Sequence, residues 1–512
     1  MKMDRRFFVN STLAAAGGVV LPMRALWADS AATGAIPASL PGLSSSGKPV
    51  SLTASDLKDL RASLHGRLLL PSDEGYDAAR RYWDSAFDRH PALIVMAADA
   101  DDVVKAVQFA RSHDLLTAVR AGGHCQAEKA TACDGGLMIN LSLMRDVQID
   151  IPGRRIRAQG GVLLGEVDRK TQAVGLATTL GTATDTGIAG LTLGGGIGRL
   201  MRPFGLACDN LSSAQIVTAD GQLRHLSESD NADLFWAIRG GGGNFGVVTA
   251  LEYRLHPLDH PVLSANGSYP YEHAHAVLTA VTDLAADMPD AMTLGVELSN
   301  DERGRQITWS AFHAGDPQEG ERLLDPLKKL GKTLRERMHA QSYLAAQGVP
   351  ANAPLAVPRA PASYERHGYI HGALTDAFFD ELVRRFATVP PSLECFASLG
   401  QFGGAVGRVR SDATAYFNRA ASYGVLLGDS WAGRLQPEAD QKAYRAVWNA
   451  LEPFTKGYYI NGDSEVIDQR VRATFGENYP RLVRVKTQYD PTNLFSLNAN
   501  IKPARTSGAP IV

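Results

Sequence analysis

The chain is poor in cysteine. Its 512 residues hold four, Cys125, Cys133, Cys208 and Cys395, too few for a disulfide framework at this length. None stands at the spacing of a zinc site, so no metal is expected, and separate thiols are the expected state. An excess of charge of either sign is also missing, with 52 lysines and arginines against 54 aspartates and glutamates. Without a basic stripe interleaved with aromatics, nucleic acid is not an expected partner. Beyond the N-terminus no uninterrupted apolar run is long enough to span a bilayer. Yet 45% of the residues are hydrophobic, ample for a large core and at least two domains.

The N-terminus reads as an address. Asp4-Arg5-Arg6-Phe7-Phe8-Val9 sets a twin-arginine pair before the apolar stretch Leu13 to Leu21, and Leu26-Trp27-Ala28 offers a small residue for cleavage. Residues 1–28 are therefore expected to be a twin-arginine signal, removed on export of the folded protein to the periplasm or the extracellular space. Residues 29–50, rich in Ala, Ser, Gly and Pro, are expected to be a flexible linker.

What the chain has in quantity is glycine, gathered in three places. The first is Val119-Arg120-Ala121-Gly122-Gly123-His124-Cys125-Gln126, just after a short apolar strand. Paired glycines there let the backbone turn tightly, and successive N–H groups make a concave nest for an anion such as a pyrophosphate. The second runs from Thr178 to Gly198 and holds Gly187, Gly190, Gly194, Gly195, Gly196 and Gly198; the third is Gly240-Gly241-Gly242-Gly243-Asn244-Phe245-Gly246. A dinucleotide site of the Rossmann kind does not fit, since the strand–turn–helix context and a ribose-binding acid at the usual offset are missing.

Arg-x-Gly-Gly-His at 120–124 resembles the flavin-tethering loop of the berberine-bridge-enzyme-like flavoproteins. The second and third glycine runs, Gly205 to Asn210, and the C-terminal stretch from Tyr479 to Asn500 agree in order and spacing, so that the resemblance covers nearly the whole mature chain. It implies FAD joined through its 8α carbon to His124. Expected around the cofactor are Arg120, Ala121, Gly122, Gly123, His124, Cys125, Gln126, Thr182, Thr186, Gly187, Gly190, Gly196, Gly198, Asp209, Gly246, Val248, Asn498 and Asn500. Doubly tethered members carry a cysteine before the second glycine run. Ala183 or Thr184 stands there in this chain, so His124 is expected to be the only tether.

Strands alternate with helices up to about residue 257, which indicates an α+β domain with small sheets. With the resemblance, the expected fold is a PCMH-type FAD-binding domain of two small α/β subdomains over 51–257, its core about 87–257. A substrate domain with a helix-covered antiparallel sheet follows over 258–454, and 455–505 returns to the FAD domain. Pro350 to Pro361 is expected to be a surface loop.

The resemblance implies oxidation of an alcohol or amine carbon of a small molecule by hydride transfer to flavin N5, with O2 or another electron acceptor. Tyr459, in the Tyr-x-Asn segment Tyr459-Ile460-Asn461, is the expected base, provided a neighbour lowers the phenol from its usual value near 10. Asp429 is the second catalytic candidate, although a solvated loop carboxylate describes it better. Gly400 stands where sugar-oxidising relatives carry an aspartate, which weighs against an oligosaccharide substrate. A non-catalytic exported flavin-fold binding protein is the alternative; the intact glycines around His124 favour the enzyme.

Overall fold

The computed structural model describes residues 34–350, 353, 355, 357, 360–431 and 437–504. The expected signal over 1–28 and half of the expected loop at 350–361 lie outside the described residues. The part of the expected 29–50 linker that is described contains a hairpin, with Ser39–Leu43 pairing antiparallel to Pro49–Thr53, Ser39 opposite Thr53. Composition misled here. Leu52 is buried in the core that also holds Leu57, Val95 and Ile139, and Leu43 exchanges backbone hydrogen bonds with Gly135 and Leu116, tying the hairpin down.

Three layers of sheet position the site. A four-stranded sheet runs in the order Arg67–Leu69, Leu93–Met96, Leu137–Asn140, Thr117–Arg120, the last three parallel. Leu93, Ile94, Val95 and Met96 are all buried, as a parallel strand covered on both faces requires. The helix Ala100–Ser112 makes the crossover, capped by Asp99, whose carboxylate accepts from the Asp102 N–H, and burying Val103, Ala106, Val107 and Ala110. An antiparallel five-stranded sheet follows, in the order Leu223–Leu226, Leu211–Val217, Val247–Arg254, Arg155–Gln159, Val147–Asp150.

The third sheet has seven antiparallel strands in the order Arg335–Gln341, Val262–Pro270, Gly304–His313, Met292–Asp301, Glu394–Gln401, Ala421–Trp431, Ala362–His371. Its two faces differ by the period-2 rule. Met292, Leu294, Val296 and Leu298, with Ala397, Leu399, Val425 and Leu427, pack under the helices Ala274–Ala286, Asp376–Phe386 and Glu438–Leu451. Each fully buried aliphatic or aromatic side chain there contributes about 1.5–3 kcal/mol. The alternate residues, Glu297, Ser299, Ser398, Gly400 and Gly424, are small or polar and face the other way, toward a cavity. Gly295, Gly400 and Gly424 stand opposite one another across three neighbouring strands, a row without side chains.

After Trp431 and the Glu438–Leu451 helix, the chain ends in the helices Asp468–Phe475 and Tyr479–Tyr489. Val471, Phe475, Leu482 and Val485 join the core that holds the five-stranded sheet. Among the described residues no helix is long and apolar enough to cross a membrane.

Candidate flavin site

A cavity of about 380 Å³ lies where the three glycine runs, the seven-stranded sheet and the C-terminal segment meet. Its size falls within the usual range for ligand and cofactor sites. The Thr117–Arg120 strand delivers the first loop, and its turn is glycine for two separate reasons. Gly123 adopts φ +74, left-handed backbone that disfavours other residues. Gly122 is pressed against Gly187 of the second run, so that a Cβ on either would overlap the backbone of the other. Gly190 and Gly243 behave differently. A Cβ on either would meet no protein atom within 4 Å, and both line the cavity. There the missing side chains leave room for a ligand.

His124 forms part of the cavity wall. Its ring stacks on Trp83 with centroids 4.5 Å apart and planes 21° from parallel, and its Nε2 lies 3.7 Å from Asp185 Oδ1. Trp83 is held in turn by its backbone N–H, which donates to Gly123 O at 2.8 Å. The imidazole is thus fixed in place by ring stacking and a facing carboxylate.

The C-terminal segment clamps the third glycine run. Lys486, fully buried, donates through Nζ to Asn244 O at 2.7 Å, Asp490 Oδ2 at 2.6 Å and Phe495 O at 3.1 Å. Burial pulls the lysine below its ordinary value, and Asp490 opposes this. The Asp490 carboxylate also accepts from the N–H groups of Leu494 and Phe495, and Asn498 Nδ2 donates to Gly243 O at 3.2 Å. Two buried acceptors in the cavity wall, Gln126 Oε1 and Asn498 Oδ1, find no hydrogen-bond partner among the described residues. Buried polar atoms are normally satisfied. Two open acceptors beside a glycine floor fit a cofactor with donor groups along its length.

Comparison with known proteins agrees. Residues 91–227 match a family described as FAD binding domain, and residues 458–502 match one described as berberine and berberine like. The chain is 32% identical over 462 residues to (R)-6-hydroxynicotine oxidase of Paenarthrobacter nicotinovorans, covering 86% of this chain and 97% of that protein. The chain belongs to the berberine-bridge-enzyme-like FAD-linked oxidoreductases. Among solved structures, 6-hydroxy-D-nicotine oxidase from Arthrobacter nicotinovorans superposes with a TM-score of 0.77 at 30% identity, over 86% of this chain and 99% of that one. A chitooligosaccharide oxidase shares the fold, with a TM-score of 0.80 at 24% identity over 88% of this chain and 100% of the other.

In this berberine-bridge-like oxidoreductase, Ala121, Gly122, Gly123, His124, Cys125, Gln126, Thr182, Thr186, Gly187, Gly190, Gly246, Val248, Asn498 and Tyr459 all line the cavity. Other residues expected at the cofactor do not. Arg120 turns away: its Nε donates to Arg81 O at 2.9 Å, and its guanidinium packs beneath Gly123. Gly196 and Gly198 lack side chains because Ala207 and Leu180 O occupy that space. Asp209 makes two 2.7 Å bonds to Arg419 and accepts from the Leu206 N–H. Asn500 is buried away from the cavity lining. Glycine spacing does not reveal whether a missing Cβ makes room for a ligand or for the chain itself. All four cysteines are free, and burial pushes the Cys125 thiol up to about 11.

The two expected catalytic residues are separated. Asp429, expected in a solvated loop, is 3% exposed within the Ala421–Trp431 strand, and its Oδ1 accepts from the Tyr364 N–H at 3.1 Å. It lines an adjoining chamber of about 250 Å³, which His124 and Trp83 share, and not the cavity around Tyr459. The Tyr459 hydroxyl accepts from Asn461 Nδ2 at 3.1 Å and from the Ile197 N–H at 3.4 Å. Burial nonetheless raises the phenol above its ordinary value, outweighing those donors. Tyr459 keeps its proton.

Two cavity residues escaped sequence reasoning, Glu365 and His367, which stand two apart on the Ala362–His371 strand. The Tyr459 N–H donates to His367 Nδ1 at 3.0 Å, which places the ring proton on Nε2, beside Gly424. Burial, reinforced by Arg470, depresses this histidine to about 3. It is a neutral donor throughout the working range. No local pattern marks them, since burial along this strand does not alternate, and its pairing with Ala421–Trp431 sets their face.

Proposed function

We propose that this protein is an exported oxidase whose FAD is bonded covalently to His124 and which oxidises an alcohol or amine carbon of a small molecule. His124 carries the proposal. It stands in the wall of the glycine-floored cavity, stacked on Trp83, with Asp185 facing Nε2. The stacked indole and the nearby carboxylate hold the imidazole in the wall of that cavity. The relative named (R)-6-hydroxynicotine oxidase supports a small-molecule substrate.

FAD held by the glycine loops would supply a two-electron acceptor for hydride from the substrate carbon, with O2 as the final acceptor. The chain's own residues handle the proton. Glu365 receives it from the substrate oxygen or nitrogen, since its side chain borders both the cavity and the adjoining chamber. Tyr459 and the Nε2–H of His367 donate hydrogen bonds to the heteroatom as negative charge develops there. Gly400 and Gly424 border the cavity on the sheet side without side chains of their own. Export by the twin-arginine route suits a protein that must fold around FAD before leaving the cytoplasm. Purified protein should stay yellow through acid precipitation; a colourless pellet with all flavin in the supernatant contradicts the covalent bond.

A further inference from the structure

A second chamber of about 150 Å³ opens beside the flavin cavity and shares Thr182, Ile197, Met201 and Gly400 with it. Its charge is one-sided. Arg199, Arg337 and His339 line it, and among the described residues no aspartate or glutamate does. Arg337, His339 and Gln341 alternate along the edge strand Arg335–Gln341 and so share one face.

Arg199 is the centre of the chamber. Its Nε donates to Gln347 Oε1 at 3.0 Å, and its guanidinium carbon lies 5.9 Å from the Phe312 ring centroid. Gln347 Nε2 continues to Gly181 O at 3.0 Å and Asp168 Oδ2 at 3.3 Å, so a neutral amide separates the cation from that carboxylate. Arg199 makes no ion pair with any described carboxylate, and burial pulls its guanidinium below the ordinary value. Both Nη groups are left for a ligand. Thr293 Oγ1, in the same wall, is buried with no hydrogen-bond partner among the described residues. A cation without a counter-charge and an unused hydroxyl together make a site for an anion.

We propose that Arg199 and Thr293 bind a carboxylate carried by the substrate, the reacting carbon extending through the Thr182 opening to the flavin cavity. This assignment of substrate class rests on the oxidase reading above. A guanidinium presents two parallel N–H groups that match a carboxylate. Ile197, Met201 and Phe312 give the rest of the chamber apolar wall, and a cavity of roughly 150 Å³ is the size that accepts a benzene ring. The substrate class is thus a compact, partly apolar alcohol or amine with a carboxylate at the far end.

Benzoate and its neutral analogue benzamide are the probes, titrated calorimetrically into the purified flavoprotein. Benzoate should bind about tenfold tighter than benzamide, as a charge-assisted hydrogen bond exceeds a neutral one. Arg199→Met should abolish that preference and leave benzamide binding unchanged, and Thr293→Val should weaken benzoate several-fold. Equal affinities in the wild type, which need no variant to fold, would overturn the assignment, as would a preference that survives Arg199→Met. The absorbance spectrum of the same samples reads flavin independently, so loss of the oxidase reading and loss of the anion site are separate results.

Discussion

Gly122 and Gly187 touch backbone to backbone, so that neither loop of the flavin cradle has space for a methyl group at that point. Gly190, three residues on, has open cavity in front of it. The two kinds of glycine should respond differently to alanine. Gly187→Ala has to push the loops apart and should lower the melting temperature together with flavin content. Gly190→Ala should fold as the wild type does and lose flavin alone. Thermal denaturation with the flavin-to-protein absorbance ratio checks both; equal melting temperatures for the two variants would contradict the distinction.

Tyr459→Phe keeps the ring and removes the donated hydrogen bond. Reduction of the flavin by substrate should slow by roughly 10²–10³-fold, as when one donor to a developing oxyanion is lost. Glu365→Gln should slow it by roughly 10²–10⁴-fold, the range for a general base. Flavin content should hold in both. Anaerobic stopped-flow reduction reads the rates. A Phe variant reduced at the wild-type rate leaves Tyr459 a packing residue, for which Ala would destabilise by about 3–5 kcal/mol.

Asp168 is 1% exposed, and burial raises its carboxyl to about 7, the bond from Gln347 opposing. Its folded value lies above the unfolded one, so the native state holds the extra proton between about pH 4 and pH 7. Stability from this group is therefore present in acid and lost as pH rises through that window. Asp168→Asn mimics the protonated form. The melting-temperature gain of the variant over the wild type should grow from about pH 4 to about pH 7 and level off above. His367 acts in the opposite sense. Its depressed value makes its contribution present above about pH 6.5 and lost as pH falls toward 3. A pH-independent difference between Asp168→Asn and wild type would show that folding does not shift this carboxyl.

Replacing Arg5 and Arg6 together by lysine should strand the protein, with its FAD, in the cytoplasm. Cell fractionation followed by flavin fluorescence checks this, and unchanged export of the double variant would rule out the twin-arginine route.

The flavin half of the site was largely legible in the sequence because its glycines are punctuation with a fixed backbone meaning. Ala121 to Gln126, Gly187 and Gly190 reach the cavity as read. Gly196, Gly198 and Asp209 carry the same local signature but serve chain-to-chain packing and an ion pair with Arg419, distant contacts that spacing does not encode. The substrate half was less legible. Glu365 and His367 sit on a strand whose alternation is weak, and only its pairing with Ala421–Trp431 shows which face meets the flavin cavity. Asp429 looked solvated because Gly428 and Ser430 flank it, but sheet pairing buries it. Trp83 lies far from His124 in sequence and contacts it only through the fold.

Peptide mapping of the purified protein tests the His124 bond most directly. Trypsin cuts after Arg120 and Lys129, releasing peptide 121–129, which contains both His124 and Cys125, so fragmentation of the flavin peptide must assign the atom that bears it. The flavin should be found on His124, and His124→Ala should release all of its flavin on acid treatment. Flavin on Cys125, on a peptide without His124, or entirely free in the wild type would contradict the covalent assignment.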